Sequence, residues 1–196
     1  MSRCFATRVA RARLLCSRGA APEARLLLVW HSRTGLARQM ADAMEAGAVS
    51  AADEMGVAIH VHKRRAADAT IDDVLAADGF LFCAPENLAS TSGEMLEFFH
   101  RCFYQAMDED ENSMLLGRPY GLAIAAGSDG SNAARQIERI CTGWRLRPCA
   151  DTFINRSTQP QTKQAILQPK ECEPHARQRC TEIGGLVAAT VLLSES

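Results

Sequence analysis

The chain has 196 residues, 47% of them hydrophobic, and a formal net charge of −1 at pH 7. This length and apolar content suffice for one well-packed domain. The longest apolar runs, 26–30 and 186–193, fall far short of the roughly 20 residues that a membrane-spanning helix needs, so we expect no membrane span.

Residues 1–22 differ in composition from the rest of the chain. They contain five Arg and no Asp or Glu, so residues 23–196 carry a formal net charge of −6. Such a segment resembles an organelle transit peptide, with a disordered tail or an upstream start codon as alternatives. We predict a disordered leader over 1–22 and one folded domain over 23–196. The cytoplasm is the expected location, or an organelle if the leader is a transit peptide.

Charge and cysteine usage exclude several classes of function. The moderate acidity of the domain argues against nucleic-acid binding, which calls for a basic face. Eight Cys are scattered without a C-x-x-C pair, which favours reduced thiols over a disulfide framework or a zinc site. His60 and His62 share one face of a predicted strand, but no further ligand accompanies them. We therefore expect no metal site.

A strand, a loop and a helix are predicted at the start of the domain. Residues 26–29 form a continuous apolar run, as in a strand buried on both faces. The loop that follows reads His31-Ser32-Arg33-Thr34-Gly35. Its hydroxyl groups and the unpaired N–H groups of a helix N-terminus suit a phosphate. A plain helix cap is the alternative. The helix is predicted from apolar residues at helical spacing, Leu36, Met40, Met44 and Ala48.

This loop lacks the fingerprints of the common nucleotide-binding loops. Neither G-x-x-x-x-G-K-[ST] nor G-x-G-x-x-G occurs in the chain, and these patterns mark the nucleoside-triphosphate loop and the dinucleotide loop. A single terminal phosphate remains the ligand that the loop suits best.

The middle of the chain continues the alternation of strands and helices. A half-buried edge strand is predicted over 57–62, closed by the basic residues 63–65, and a short helix or turn follows over 71–77. A buried strand over 80–83 leads into a loop over 84–90. Thr91 and Glu94 fit a capping box for the next helix, whose apolar face lies within 95–103.

The last third of the chain has the same pattern. Strands are predicted over 120–126 and 152–154, and the first of them leads into a loop with two Gly over 127–132. Helices are predicted over 133–141 and 175–193. A Gln- and Pro-rich loop over 157–174 separates the last strand from the last helix.

This alternation predicts an α/β fold with a doubly wound, five-stranded parallel sheet in the order 2-1-3-4-5. Open sheets of this kind bind ligands at the carboxyl ends of their strands. Three segments should meet there: the first loop (31–37), the second loop (85–93) and the third loop (127–132).

The three loops resemble a known family. Ser32-Arg33-Thr34-Gly35, Pro85-Glu86-Asn87-Leu88 followed by Ser92-Gly93-Glu94, and Ala126-Gly127-Ser128-Asp129-Gly130 are similar to the FMN-contacting loops of flavodoxin-like flavoproteins. That family includes flavodoxins and NAD(P)H-dependent FMN or quinone reductases. The resemblance covers about residues 24–193. It implies bound FMN, with the phosphate on the first loop and the ring between the other two.

The resemblance implies cofactor-binding residues in all three loops. They are His31, Ser32, Arg33, Thr34, Gly35, Leu36, Ala37, Pro85, Glu86, Asn87, Leu88, Ala89, Gly93, Gly127, Ser128, Asp129 and Gly130.

Two positions depart from the family pattern. Ala37 stands where a hydroxyl residue is usual, and the charge of Arg33 could compensate. Neither the second nor the third loop, between which the flavin ring would lie, contains an aromatic residue. Leu88 is therefore the expected apolar contact with the ring. Trp30 and Trp144 lie outside these loops, and we predict packing roles for both.

The resemblance implies an FMN-binding oxidoreductase that passes electrons from NAD(P)H through the flavin to a quinone, a free flavin or a protein. A ring without aromatic flanks favours an enzyme with a second substrate. The flavin would carry the chemistry, so no acid–base residue is assigned. The alternatives are an electron-transfer flavodoxin and a flavin-free interaction module. A homo-oligomer is an open alternative to a monomer.

Asp129 allows a prediction about the potential of the flavin. A carboxylate beside the pyrimidine end of the ring would oppose the negative charge of the reduced flavin. Its removal should then raise the midpoint potential by tens of millivolts. The alternative is that Asp129 bonds the local backbone as a turn residue.

Overall fold

The computed structural model describes residues 23–194, so the predicted leader lies outside the described part of the chain. Within that part, five longer strands form a parallel sheet. They are β1 (Ala24–Trp30), β2 (Ile59–Arg65), β3 (Gly79–Asn87), β5 (Pro119–Ala126) and β7 (Phe153–Arg156). Two short strands, β4 (Ser90–Thr91) and β6 (Arg147–Pro148), extend it.

The five longer strands lie in the order β2-β1-β3-β5-β7. Counted along the chain, this is 2-1-3-4-5, and the predicted order is confirmed. β6 pairs in parallel with the start of β5, and β7 pairs with its end. The edge of β5 is therefore covered by two successive strands.

Helices cover both faces of the sheet. They are α1 (Leu36–Met55), α2 (Ile71–Ala76), α3 (Gly93–Cys102), α4 (Ser131–Gly143) and α5 (Pro174–Ser194), and a 3-10 turn spans Tyr104–Ala106. α1 and α5 pack on one face, and the other three helices pack on the second. None of the helices in 23–194 is long and apolar enough to cross a membrane.

α1 and α5 approach each other unusually closely. A Cβ added at Gly47 of α1 would lie 1.9 Å from the carbonyl oxygen of Thr181, and one added at Gly184 of α5 would lie 1.9 Å from that of Met44. The two backbones thus touch through glycine on both sides, which positions the start of α1 against the sheet.

The predicted bounds of β2 and β3 need correction. β2 starts at Ile59 and includes the basic residues to Arg65, because its pairing with β1 continues until Arg65 lies beside Trp30. β3 continues to Asn87, beyond its predicted end at Cys83, because the chain turns back there to form a hairpin with β4.

The capping box predicted at Thr91 is wrong. Ser92 is the N-cap of α3, and no side chain caps that helix. Thr91 is held in β4 opposite Glu86, and its N–H donates to Oε1 of Gln136 at 2.8 Å. The buried hydroxyl of Thr91 makes no hydrogen bond to the start of α3.

Candidate active site

A cavity of about 410 Å³ lies at the carboxyl edge of the sheet, where the three predicted loops meet. Twelve of the seventeen candidate residues line it. They are Ser32, Arg33, Thr34, Leu36, Ala37, Pro85, Glu86, Asn87, Leu88, Ala89, Gly127 and Ser128. The parallel sheet brings these loops together because β1, β3 and β5 are neighbours that end on the same side.

The first loop presents unpaired donors to the cavity. Gly35 adopts φ +90° as the N-cap of α1, and no side chain caps the helix. This left-handed conformation is open to glycine at little cost. The N–H of Gly35 donates to Oγ of Ser32 at 3.0 Å, which leaves the hydroxyl hydrogen of Ser32 available for a ligand. The first N–H groups of α1 have no intrahelical partner, and no side chain bonds to them as a cap, so Ser32 and Thr34 do not form the plain cap that was the alternative.

The second loop is a strained two-residue hairpin turn. Leu88 and Ala89 have φ of +52° and +57°, and left-handed geometry costs residues other than glycine about 1–2 kcal/mol each. α4 holds the turn in place, since Nδ2 of Asn132 donates to the carbonyl oxygen of Ala89 at 2.7 Å. The result is a Leu88 side chain that is fully exposed at the cavity mouth.

Glu86 joins the second loop to the third. Its carboxylate accepts a hydrogen bond from the N–H of Gly130 at 2.9 Å and another from the N–H of Ser128 at 3.4 Å. Two backbone N–H groups of the third loop are thereby fixed to the end of β3. Glu86 is therefore a positioning residue of the cavity as well as part of its lining.

Five candidate residues do not line the cavity: His31, Gly35, Gly93, Asp129 and Gly130. The ring of His31 is buried, with Nε2 3.2 Å from the carboxylate of Glu94, and this burial lowers the pKa of His31. A ligand contact from any of the seventeen candidate residues stays a prediction.

Asp129 is an exposed turn residue with two partners. Its carboxylate accepts a hydrogen bond from the N–H of Ser131 at 3.2 Å, and its Oδ1 lies 3.7 Å from the Arg156 guanidinium. The bonds from Ser131 and the charge of Arg156 lower the pKa of Asp129. This geometry fits the turn-residue alternative, and Arg156 supplies the compensating charge that is missing from the loop itself.

We therefore expect Asp129→Asn to leave the midpoint potential of bound flavin within about 10 mV of the wild-type value, roughly 0.5 kcal/mol for a two-electron couple. The paired and solvated carboxylate exerts little field on the cavity. Spectroelectrochemical titration of both proteins measures the difference. A rise of several tens of millivolts would instead show that the carboxylate acts on the ring.

One wall of the cavity was not predicted from the sequence. Residues 157–173, which we call the covering segment, contribute Gln161, Ile166, Leu167 and Lys170. The segment is joined to the first loop, because the N–H of Lys170 donates to the carbonyl oxygen of Thr34 at 2.9 Å. The Gln- and Pro-rich composition predicted a loop there, but nothing local in the sequence indicated where it would lie.

Cys83 and the two Trp residues have structural roles. Burial raises the pKa of the Cys83 thiol well above its usual value, and its S–H donates to the carbonyl oxygen of Ala37. Trp144 is fully buried, and Trp30 packs under the guanidinium of Arg65, whose Cζ lies 5.9 Å from the ring centroid. The predicted packing roles of both Trp residues fit these surroundings.

Similar solved structures share the fold. An oxidoreductase from Corynebacterium diphtheriae superposes with a TM-score of 0.65 at 17% identity, over 90% of this chain and 100% of that one. A flavodoxin from the domain Archaea gives 0.64 at 15% identity, over 86% and 99% of the two chains. A flavodoxin, WrbA-like protein from Agrobacterium tumefaciens gives 0.62 at 15%, over 87% and 99%. These likenesses confirm the predicted flavodoxin-like fold.

The sequence comparisons identify the family. No curated protein sequence matches this chain significantly. The family model described as NADPH-dependent FMN reductase matches residues 33–158, nearly two thirds of the chain. This range contains most of the first loop and the whole of the second and third loops, which together form most of the cavity wall. The chain therefore belongs to the NADPH-dependent FMN reductase family.

Proposed function

We propose that the cavity binds FMN and that the protein transfers electrons from NAD(P)H through it to a second acceptor. The observation that carries this proposal is the donor set at the start of α1, where hydroxyl groups and unpaired N–H groups converge without a capping side chain. An anion is the natural partner of such a helix terminus. The family match supports FMN as the ligand whose phosphate group is this anion.

The residues present fit this cofactor. The volume of about 410 Å³ lies within the range typical of small-molecule sites. Ser32, Thr34 and the first N–H groups of α1 would hold the phosphate. The turn at Leu88 and the backbone at Gly127 and Ser128 would flank the ring, with Leu88 as the apolar contact.

When bound, the flavin would supply the redox chemistry, accepting a hydride equivalent from a nicotinamide and releasing electrons to an acceptor. The protein would bind and orient the two reactants. No residue of the cavity lining is aromatic, so no ring stacks over the site from the described lining. Leu88 is fully exposed at the mouth. This openness favours a second substrate in contact with the ring over a buried one-electron carrier.

Anaerobic mixing of the FMN-loaded protein with NADPH or NADH tests the proposal. We expect the visible absorbance of the oxidised flavin to bleach without an added reductase. Bound flavin that stays oxidised with both nicotinamides would indicate an electron-transfer flavodoxin. A protein that binds no FMN at all would indicate a flavin-free interaction module.

A further inference from the structure

Lys170 is a buried lysine without an acidic partner. It is only 8% exposed, and it is one of the residues that line the cavity. Its Nζ donates to the carbonyl oxygen of Ile166 at 2.8 Å. Among the described residues no carboxylate lies within 4.0 Å of this nitrogen, whereas Lys63 and Arg179 do have such partners.

An ammonium group in this position lacks most of its usual compensation. It has three N–H donors, and the structure gives one of them a protein acceptor. A buried charge is costly unless it is paired and hydrogen-bonded. The geometry therefore calls for an anion in the cavity next to Lys170.

The backbone of Lys170 is fixed at the start of α1. Its N–H donates to the carbonyl oxygen of Thr34 at 2.9 Å, and its own carbonyl oxygen accepts from Nε2 of Gln39 at 2.8 Å. Gln39 is one turn into α1 and also accepts from the N–H of Cys172 at 3.2 Å. These bonds place the backbone of Lys170 beside the first loop.

Arg33, the other basic residue of the lining, is a weaker candidate for this role. It is exposed, whereas Lys170 is buried. A charge shielded from solvent interacts more strongly with an anion than one screened by water and salt. The family model covers only one of the two residues: Arg33 lies within the matched range, and Lys170 lies beyond its end at residue 158.

We propose that Lys170 is the phosphate-binding cation of this site, and that it makes the covering segment part of the cofactor site. The proposal rests on the proposed function, since it assigns one residue to the phosphate end of the bound FMN. It predicts that Lys170 contributes to the preference for FMN over riboflavin, which differs in lacking the phosphate.

Fluorescence titration of the apoprotein with FMN and with riboflavin provides the test. We expect Lys170→Met to raise the Kd for FMN at least about tenfold, which corresponds to 1.4 kcal/mol of binding free energy. The Kd for riboflavin should stay within about twofold of the wild-type value. Methionine retains the apolar stem of the side chain. Lys170→Arg should restore much of the FMN affinity because it retains the charge.

Lys163→Gln is the matched control. Lys163 lies in the same covering segment, is exposed and does not line the cavity, so both affinities should stay at wild-type values. An unchanged FMN affinity in Lys170→Met, or an equal loss for both flavins, would overturn the proposal while leaving FMN binding intact as a property of the wild type. A wild-type protein that binds neither flavin would overturn the proposed function as well.

Discussion

Replacing Gly184 with Ala is expected to destabilise the protein by about 3 kcal/mol, because the added methyl group overpacks a backbone contact. Its Cβ would lie 1.9 Å from the carbonyl oxygen of Met44 and 2.7 Å from the carbonyl carbon. These are backbone atoms of α1, so no rotamer change relieves the clash. α1 and α5 would have to move apart, and the N-terminus of α1 would move with them. Urea unfolding at equilibrium measures the loss.

Two further variants sharpen this test. Gly47→Ala introduces the reciprocal clash, 1.9 Å from the carbonyl oxygen of Thr181, and should be similarly destabilising. Gly93→Ala is the control, because a Cβ there has no neighbour within 4 Å, and its stability should stay within about 1 kcal/mol of wild type. If the Gly184→Ala variant were as stable as the wild type, α1 and α5 would be able to move apart at little cost in free energy.

FMN is expected to bind much more tightly than riboflavin, and Thr34→Ala should weaken FMN binding by roughly 1.5–3 kcal/mol, the value of one charge-assisted hydrogen bond. Thr34 lines the cavity beside the uncapped start of α1. Riboflavin affinity should not change, since the lost hydroxyl would contact only the phosphate. Flavin fluorescence titration gives both constants.

Thr162→Ala is the control for this prediction. Its hydroxyl group lies on the covering segment, is exposed and accepts a hydrogen bond from the N–H of Ala165 at 3.2 Å, outside the cavity lining. Both flavins should bind this variant as they bind wild type. Equal affinity of the wild-type protein for FMN and riboflavin would mean that the phosphate does not contact the first loop.

Local sequence patterns were sufficient to predict the strands, helices and loops that form most of this site. The apolar run before His31 and the helical spacing after Gly35 predicted β1, the first loop and α1 where the structure has them. Short buried strands alternating with helices leave few right-handed arrangements, and the observed order is the one expected. The same patterns missed the hairpin at Leu88, since Leu-Ala lacks the Gly or Asn that usually signals such a turn.

The sequence by itself therefore determined the parallel sheet, its order and the three loops that meet at its edge, because each depends on residues close together in the chain. Only the tertiary structure decided which charges share a neighbourhood. Arg156 lies 27 positions after Asp129 and pairs with it at 3.7 Å, and Lys170 contacts Thr34 from the far end of the domain. Such contacts depend on where a long loop packs, and neither periodicity nor composition encodes that distance.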